Sequence, residues 1–387
     1  MSKHKLLIAL LFINSIIHNA IANEDSWVIG LDADMSSLAV EGGVAIQNGI
    51  ELAIEEINVA GGILGKPVRL IIKDHRGNPA RGIANLKAFS KLDNLLAVVG
   101  GVHTPVAIAQ LPYIHQAPVV YLDPWAAGTP IIKHDYQPSY TFRLSIRDEW
   151  AGKVILSEAK KDLCPSLHLL LERTGWGRSN ERSMTEAAAE LDLKLSGIEW
   201  FNWNSGIFAA MVEKLNKENV ACVALVANSP EGVDIIRNIA KLAPSNRPKI
   251  YSHWGIIGGN FIESVQLPTL KKVSLKYLQT IAFNSPKTPR GKRLVERYLQ
   301  KYGPTEGHNA FSGVVHAYDL VHLLALAVKQ SGSNHPDKIR KALENIPQHS
   351  GALKEYQYPF TADNHEALSQ NDYLMLKFDA LGYGQEQ

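Results

Sequence analysis

The chain has 387 residues, enough for two or three domains and for a large core that needs no metal or disulfide staple. Apolar residues make up 45% and charged residues 20%, an ordinary globular balance that excludes a disordered, collagenous or coiled-coil protein as a whole. Lys and Arg number 40 against 38 Asp and Glu; the two surplus positives are Lys3 and Lys5, in an acid-free stretch of 22 residues, so the remainder is balanced and gives no electrostatic case for nucleic acid or an anionic membrane.

Residues 1–22 read as an address. Lys3 and Lys5 precede an apolar run over 6–17, too short to span a bilayer, and Ala20-Ile21-Ala22 is an A-x-A cleavage site. A secretory signal peptide cleaved after Ala22 is expected, and no cysteine near 23 offers a lipid anchor. Strand and helix signals then alternate. A strand over 27–31 leads into a helix over 43–60, where Ile46, Ile50, Ile54 and Ile57 share one face and Gly61-Gly62 ends it. Strands over 68–73, 95–99 and 119–122 alternate with helices over 79–92 and 105–115. The pattern restarts with helices over 150–161, 182–191, 208–218 and 231–242 between strands over 167–171, 195–201, 220–227 and 249–252. A strand over 278–283, helices over 291–302, 309–330 and 336–346, and strands over 353–358 and 373–378 complete the chain. Repeated βα units call for parallel sheets covered by helices on both faces, an α/β fold of two doubly wound lobes. The joint at 139–147 is strand-like, with no Pro/Ser-rich tether, which predicts a hinge.

The stretch 310–328 is apolar enough to imitate a membrane span, but His316, Asp319 and His322 would be costly in lipid, so a buried helix is expected. Those three fan over roughly 120° of a helix, too wide for one metal. Cys164 and Cys222 each precede a strand-like run; a bridge forms if those strands are neighbours, and two buried thiols remain the alternative.

The sequence contains no Walker loop, H-E-x-x-H, C-x-x-C, G-x-S-x-G or G-x-G-x-x-G. Gly65-Lys66 runs into Pro67, so AGGILGKP is a helix stop and strand start. Neither an enzyme nor a cofactor is expected. The chemistry that remains lies at the C-terminal ends of the strands, where open α/β sheets bind ligands. Gly100-Gly101-Val102-His103-Thr104-Pro105 offers a capped helix start suited to a carboxylate, with Thr104 as N-cap and Pro105 at N1. Trp125 with Ala126 and Ala127, Trp176, Asn228 and Trp254 occupy other strand-to-helix turns, and three tryptophans at equivalent ends mark a cleft.

These marks carry a family resemblance. The segment VAIQNGIELAIEEINVAGGILGKPVRLIIKD, the GG-x-H-T turn, Pro124 with its small-residue loop, and VACVALVANSPEGVDIIRNIAKLA follow one another as in type I periplasmic solute-binding proteins of the branched-chain amino acid transporter family. The resemblance covers nearly the whole chain after 22. It implies a periplasmic, non-catalytic protein with three crossings between its lobes, lobe 1 at 23–142 and 280–351, and lobe 2 at 143–279 and 352–387. It also implies delivery of a small-molecule ligand, an amino acid or an aromatic or amide-like acid, to an ABC permease. A sensory binding subunit is the alternative with the same cleft. The resemblance puts the ligand's carboxylate on His103 and Thr104 and on the loop of Trp125, Ala126 and Ala127, with Ala127 where a Thr is usual. Glu41 replaces a family Tyr, Trp176 keeps an aromatic, Asn228 replaces another, and Trp254 replaces the acid that holds an α-ammonium. Glu41, Asp32 and Asp34 are the candidates to supply that charge. A carboxylate or amide ligand with a flat or apolar body is expected.

Overall fold

The structure, a computed structural model, describes residues 26–303 and 310–386. The expected signal peptide and its cleavage site lie outside the described residues. The first lobe is built from β1 (Trp27–Ala33), α1 (Val40–Val59), β2 (Val68–Asp74), α2 (Pro79–Phe89), β3 (Leu95–Val99), α3 (Thr104–Gln116), β4 (Tyr121–Asp123) and β5 (Thr141–Arg143). Its strands are all parallel, in the order β2-β1-β3-β4-β5. Strands covered on both faces read as continuous apolar runs, as Leu95–Val99 does.

The second lobe follows with α4 (Asp148–Lys161), β6 (Leu167–Glu172), α5 (Gly175–Glu190), β7 (Leu195–Phe201), α6 (Phe208–Lys217), β8 (Cys222–Val226), α7 (Ser229–Ile239), β9 (Lys249–Ser252), α8 (Phe261–Val265), α9 (Leu267–Leu270) and β10 (Ser274–Gln279). The chain returns to the first lobe through α10 (Pro289–Tyr302), α11 (Phe311–Ser331), α12 (Pro336–Leu343) and a small hairpin, β11 (Gln348–Ser350) with β12 (Glu355–Gln357). It ends on β13 (Leu374–Phe378) and β14 (Gly384–Gln385), giving a second sheet ordered β14-β13-β10-β9-β8-β6-β7. The strand order reverses between β1 and β3 in one sheet and between β6 and β8 in the other. These reversals are where doubly wound sheets open a crevice for ligands.

Several elements differ from the sequence expectation. α1 starts at Val40 rather than 43. α5 starts at Gly175 rather than 182, because the Thr174 hydroxyl accepts the N–H groups of Trp176 and Gly177 and nucleates an earlier turn. The strand placed over 278–283 is β10, which ends at Gln279. The strand placed over 353–358 is β12, paired only with β11. Its neighbour Phe360 packs edge-on against Phe142, and His365 Nδ1 contacts the Thr141 carbonyl. Residues 352–366 thus lie on the first-lobe side, and the tail joins the second sheet only with β13.

α11 is the one described helix long and apolar enough to cross a membrane, and 89% of that window is buried inside the protein. It packs on α1 so closely that a Cβ on Gly49 would lie 2.2 Å from the Val314 carbonyl oxygen. Its polar groups face three directions. His316 bonds Thr280 Oγ1 and the Pro124 carbonyl, Asp319 accepts the Ala352 and Leu353 N–H groups and the Tyr356 hydroxyl, and His322 meets Arg290 and Glu56.

β6 and β8 are parallel neighbours, and Cys164 and Cys222 are bridged, with their Cα atoms 6.1 Å apart. Three crossings join the lobes. The first and third run side by side: the Arg143 N–H donates to the His365 carbonyl, and the Ala367 N–H donates to the Arg143 carbonyl. The Arg143 guanidinium forks onto Glu366, both side chains being fully buried, and its Nη1 also donates to the Ala126 and Gly128 carbonyls.

Candidate functional site

The strand ends of both lobes meet in one cavity of about 20 Å³, room for about one water molecule. Val102, His103, Thr104, Pro105, Trp125 and Ala127 line it from the first lobe; Glu172, Trp176, Asn228, Trp254 and Gly255 line it from the second. The lobes touch directly around it. The Gly42 N–H donates to the Gly258 carbonyl at 2.9 Å, and the Thr129 N–H donates to Ser179 Oγ at 3.2 Å. A solute larger than water therefore enters only when the lobes part.

The floor is the start of α3. His103, not Thr104, is the N-cap, and it makes no capping bond with its side chain. Its Nε2 instead lies 2.9 Å from Asp34 Oδ2. Burial alone would raise the Asp34 pKa, but the His103 bond and charge and the Ala39 and Ser37 N–H groups hold it below the usual value. Thr104 Oγ1 accepts the Gly128 N–H at 3.1 Å and ties α3 to the loop after β4. A helix start carries N–H groups without intrahelical partners and a partial positive charge, so it favours an anionic group.

Trp125 is set by Asp123, whose Oδ1 accepts the Trp125 and Ala126 N–H groups, and by Ser145, which donates to the Trp125 carbonyl. Its indole stacks on Trp254 of the other lobe. Trp176 and Trp254 share one support, since Trp176 Nε1 donates to Asp148 Oδ1 at 3.1 Å and His253 Nε2 lies 3.1 Å from the same oxygen. His253 Nδ1 accepts the Trp254 N–H, while Nε2 lies beside Asp148 without hydrogen-bond geometry. Gly255 is required by close approach, because a Cβ there would lie 2.3 Å from the Trp176 ring.

The roof holds a carboxyl that the sequence reading passed over. Glu172 closes β6 and is 1% exposed. Its Oε1 accepts the Thr174 hydroxyl at 2.6 Å; its Oε2 accepts Trp203 Nε1 at 2.9 Å and Asn228 Nδ2 at 2.8 Å. Asn228 is the N-cap of α7, yet its side chain makes no capping bond and reaches across the strand-order reversal to Glu172 instead. Burial raises the Glu172 pKa to about 7, against the Thr174 and Trp203 bonds and with Glu231 adding repulsion. Glu231, 1% exposed, has one oxygen on the Asn204 N–H and the other without a partner.

His103, Thr104, Trp125, Ala127, Trp176, Asn228 and Trp254 are thus brought together as the cavity wall, while Ala126 and Glu41 are not. Ala126 packs in a separate cluster with Val98 and Ala107. Glu41 lies in the first turn of α1, where burial and the Glu263 charge raise its pKa to about 7. Asp32 accepts from Asn85 and Gln110, and Asp34 is taken by His103, so neither is free to meet a ligand's charge. In the sequence Glu172 stands directly after three leucines, Leu169 to Leu171, and two residues before the capping Thr174, which marks a strand end but not the burial or partners of the carboxyl.

The fold and this two-sided cleft define a ligand-binding protein. A family model described as "Periplasmic binding protein" matches residues 26–379, and the chain belongs to that family. The family and its fold are those of ligand-binding transport proteins. Among its relatives, the Leu/Ile/Val-binding protein homolog 1 of Brucella suis is 26% identical over 325 residues, 83% of each chain. Two solved structures share the fold. The branched-chain amino acid transporter substrate binding protein of Streptococcus pneumoniae, in complex with isoleucine, has a TM-score of 0.80 at 20% identity, covering 94% of this chain and all of its own. An ABC transporter solute binding protein of Rhodopseudomonas palustris, in complex with 3,4-dihydroxybenzoic acid, has a TM-score of 0.76 at 16% identity, covering 94% and 96%. The family resemblance read from the sequence holds, and it implies a periplasmic location.

Proposed function

We propose that this is an exported, non-catalytic solute-binding protein of an ABC importer, cleaved after Ala22, which closes its lobes on a small amino-acid-like or carboxylate/amide ligand and delivers it to a permease in the inner membrane. The observation that carries this reading is the cavity itself, walled from both lobes at the two strand-order reversals, with an indole from each lobe in contact. In this reading His103 and Thr104 at the start of α3 take the ligand's oxygen end, and Trp125, Trp176 and Trp254 surround its body. A flat or apolar body gains by stacking on such rings. Relatives that take isoleucine and a hydroxylated benzoic acid span the same range of ligands.

Calorimetry across amino acids, aromatic acids and amides tests the reading. Saturation with a tight ligand is expected to reduce the radius of gyration in solution scattering. An unchanged radius at saturation, or no binding by any of the three classes or by an amidine, overturns it.

A further inference from the structure

The cavity's second-lobe face is acidic and has no cation of its own. Glu172 lines it directly, and Glu231 stands behind, close enough to repel it. Among the described residues neither carboxyl is in an ion pair, and every donor recorded on either is neutral: a hydroxyl, an indole, an amide and a backbone N–H. His103 faces Glu231 from the first lobe, but its Nε2 is spent on Asp34. Two further observations bear on this pair. Asn228 leaves its capping duty to reach Glu172, which orients the carboxyl at the reversal point, and the second Glu231 oxygen is buried without a partner. Trp125, Trp176 and Trp254 line the same cavity, and indole faces attract cations.

We propose that Glu172 is the specificity-determining acid of the cleft, and that it selects ligands presenting a protonated nitrogen, an ammonium or amidinium, to the second lobe. This rests on the solute-binding reading above and narrows it. Trp254 occupies the position where the family resemblance puts an acid, and the charge is supplied from the end of β6 instead. Oε2 already accepts Trp203 and Asn228 and Oε1 accepts Thr174, so one lone pair of Oε1 is left for a charged N–H of the ligand, and the wall of indoles excludes the water that would otherwise solvate the charge. A neutral amide keeps one N–H contact and loses the ion pair. A carboxylate turned toward the second lobe meets Glu172 and Glu231 and is repelled.

Benzamidine, benzamide and benzoate test this, being flat ligands of one shape that differ in the charge of the head group. Calorimetry on the native protein is expected to rank benzamidine above benzamide. Glu172→Gln keeps the side-chain shape and is expected to weaken benzamidine at least tenfold, to change benzamide by less than about threefold, and to leave benzoate unchanged or tighter. The native protein gives a second readout that needs no variant. Because a cation competes with the proton on Glu172, benzamidine affinity is expected to rise between pH 6 and pH 8, with Glu231 contributing in the same direction. The charged groups set against this pair are His103, bonded to Asp34 at the start of α3, and Asp234, on α7 with Glu231.

Benzoate binding as tightly as benzamidine, or a Glu172→Gln variant that loses all three equally, overturns the charge selection and leaves solute binding standing. A screened or co-purified tight ligand that contains no basic nitrogen overturns it as well. Absence of binding by every class, including zwitterionic amino acids, removes the solute-binding reading and the selection together.

Discussion

Trp125 of the first lobe and Trp254 of the second stack across the cleft, with ring centroids 4.8 Å apart and planes inclined by 25°. Each is at most 2% exposed, so the contact exists only while the lobes are closed. It places an indole from each lobe on the wall of the same cavity. Aromatic pairs contribute about 0.5–1.5 kcal/mol beyond the area they bury. Trp254→Ala removes both the lobe contact and the wall. A loss of ligand affinity of roughly tenfold or more is expected by calorimetry, with the unfolding midpoint of the ligand-free protein measured in parallel. Unchanged affinity would show that the ligand does not touch this wall.

The Arg143–Glu366 pair holds the first and third crossings together with both side chains buried. Removing one partner of a buried pair leaves an uncompensated charge, at a cost of about 3–5 kcal/mol. Glu366→Ala is therefore expected to lower the urea midpoint strongly. The double change Arg143→Met with Glu366→Leu, which removes both charges and keeps the volume, is expected to recover much of that loss. A double variant no more stable than the single one would argue against this account.

The Cys164–Cys222 bridge spans 58 residues of chain and sits at the N-terminal end of the second sheet, away from the cleft. Closing a loop of that length removes roughly 4 kcal/mol of unfolded-state entropy on the chain-entropy account. The double Ser variant is expected to unfold at a clearly lower denaturant concentration while binding the ligand as the native protein does. Weakened binding in a variant that is fully folded would contradict this assignment.

His316 is buried beneath the cleft, and burial lowers its pKa from 6.5 to about 4, only partly opposed by its contact with the Pro124 carbonyl. The unfolded state takes up the proton first as pH falls. Stability from this group is therefore fully present above about pH 6.5 and is lost as pH falls toward 4. Melting temperatures between pH 4 and pH 7 are expected to fall more steeply with acid for the native protein than for His316→Gln. Parallel curves would show that His316 does not contribute to the acid limb.

The sequence by itself determined the βα alternation, the two-lobe fold, and the turns at His103-Thr104, Trp125, Trp176, Asn228 and Trp254. Those are local signals, carried by apolar periodicity, caps and glycines within a few residues of each other. Cys164 and Cys222 could each be placed before a strand-like run, but only the parallel pairing of β6 with β8 showed those strands to be neighbours and the cysteines within bridging distance. The charge of the cleft was decided wholly by tertiary structure. Asp32, Asp34 and Glu41 belong to the first lobe, but Asn85 and Gln110 take the first, His103 takes the second, and the third is off the cavity wall. Glu172 becomes the acid of the site because β6 and β8 flank the strand-order reversal, which brings Asn228 to it across 56 residues of chain. Electrostatic environment depends on distance in space and on burial, and neither can be read from the spacing of residues along a chain.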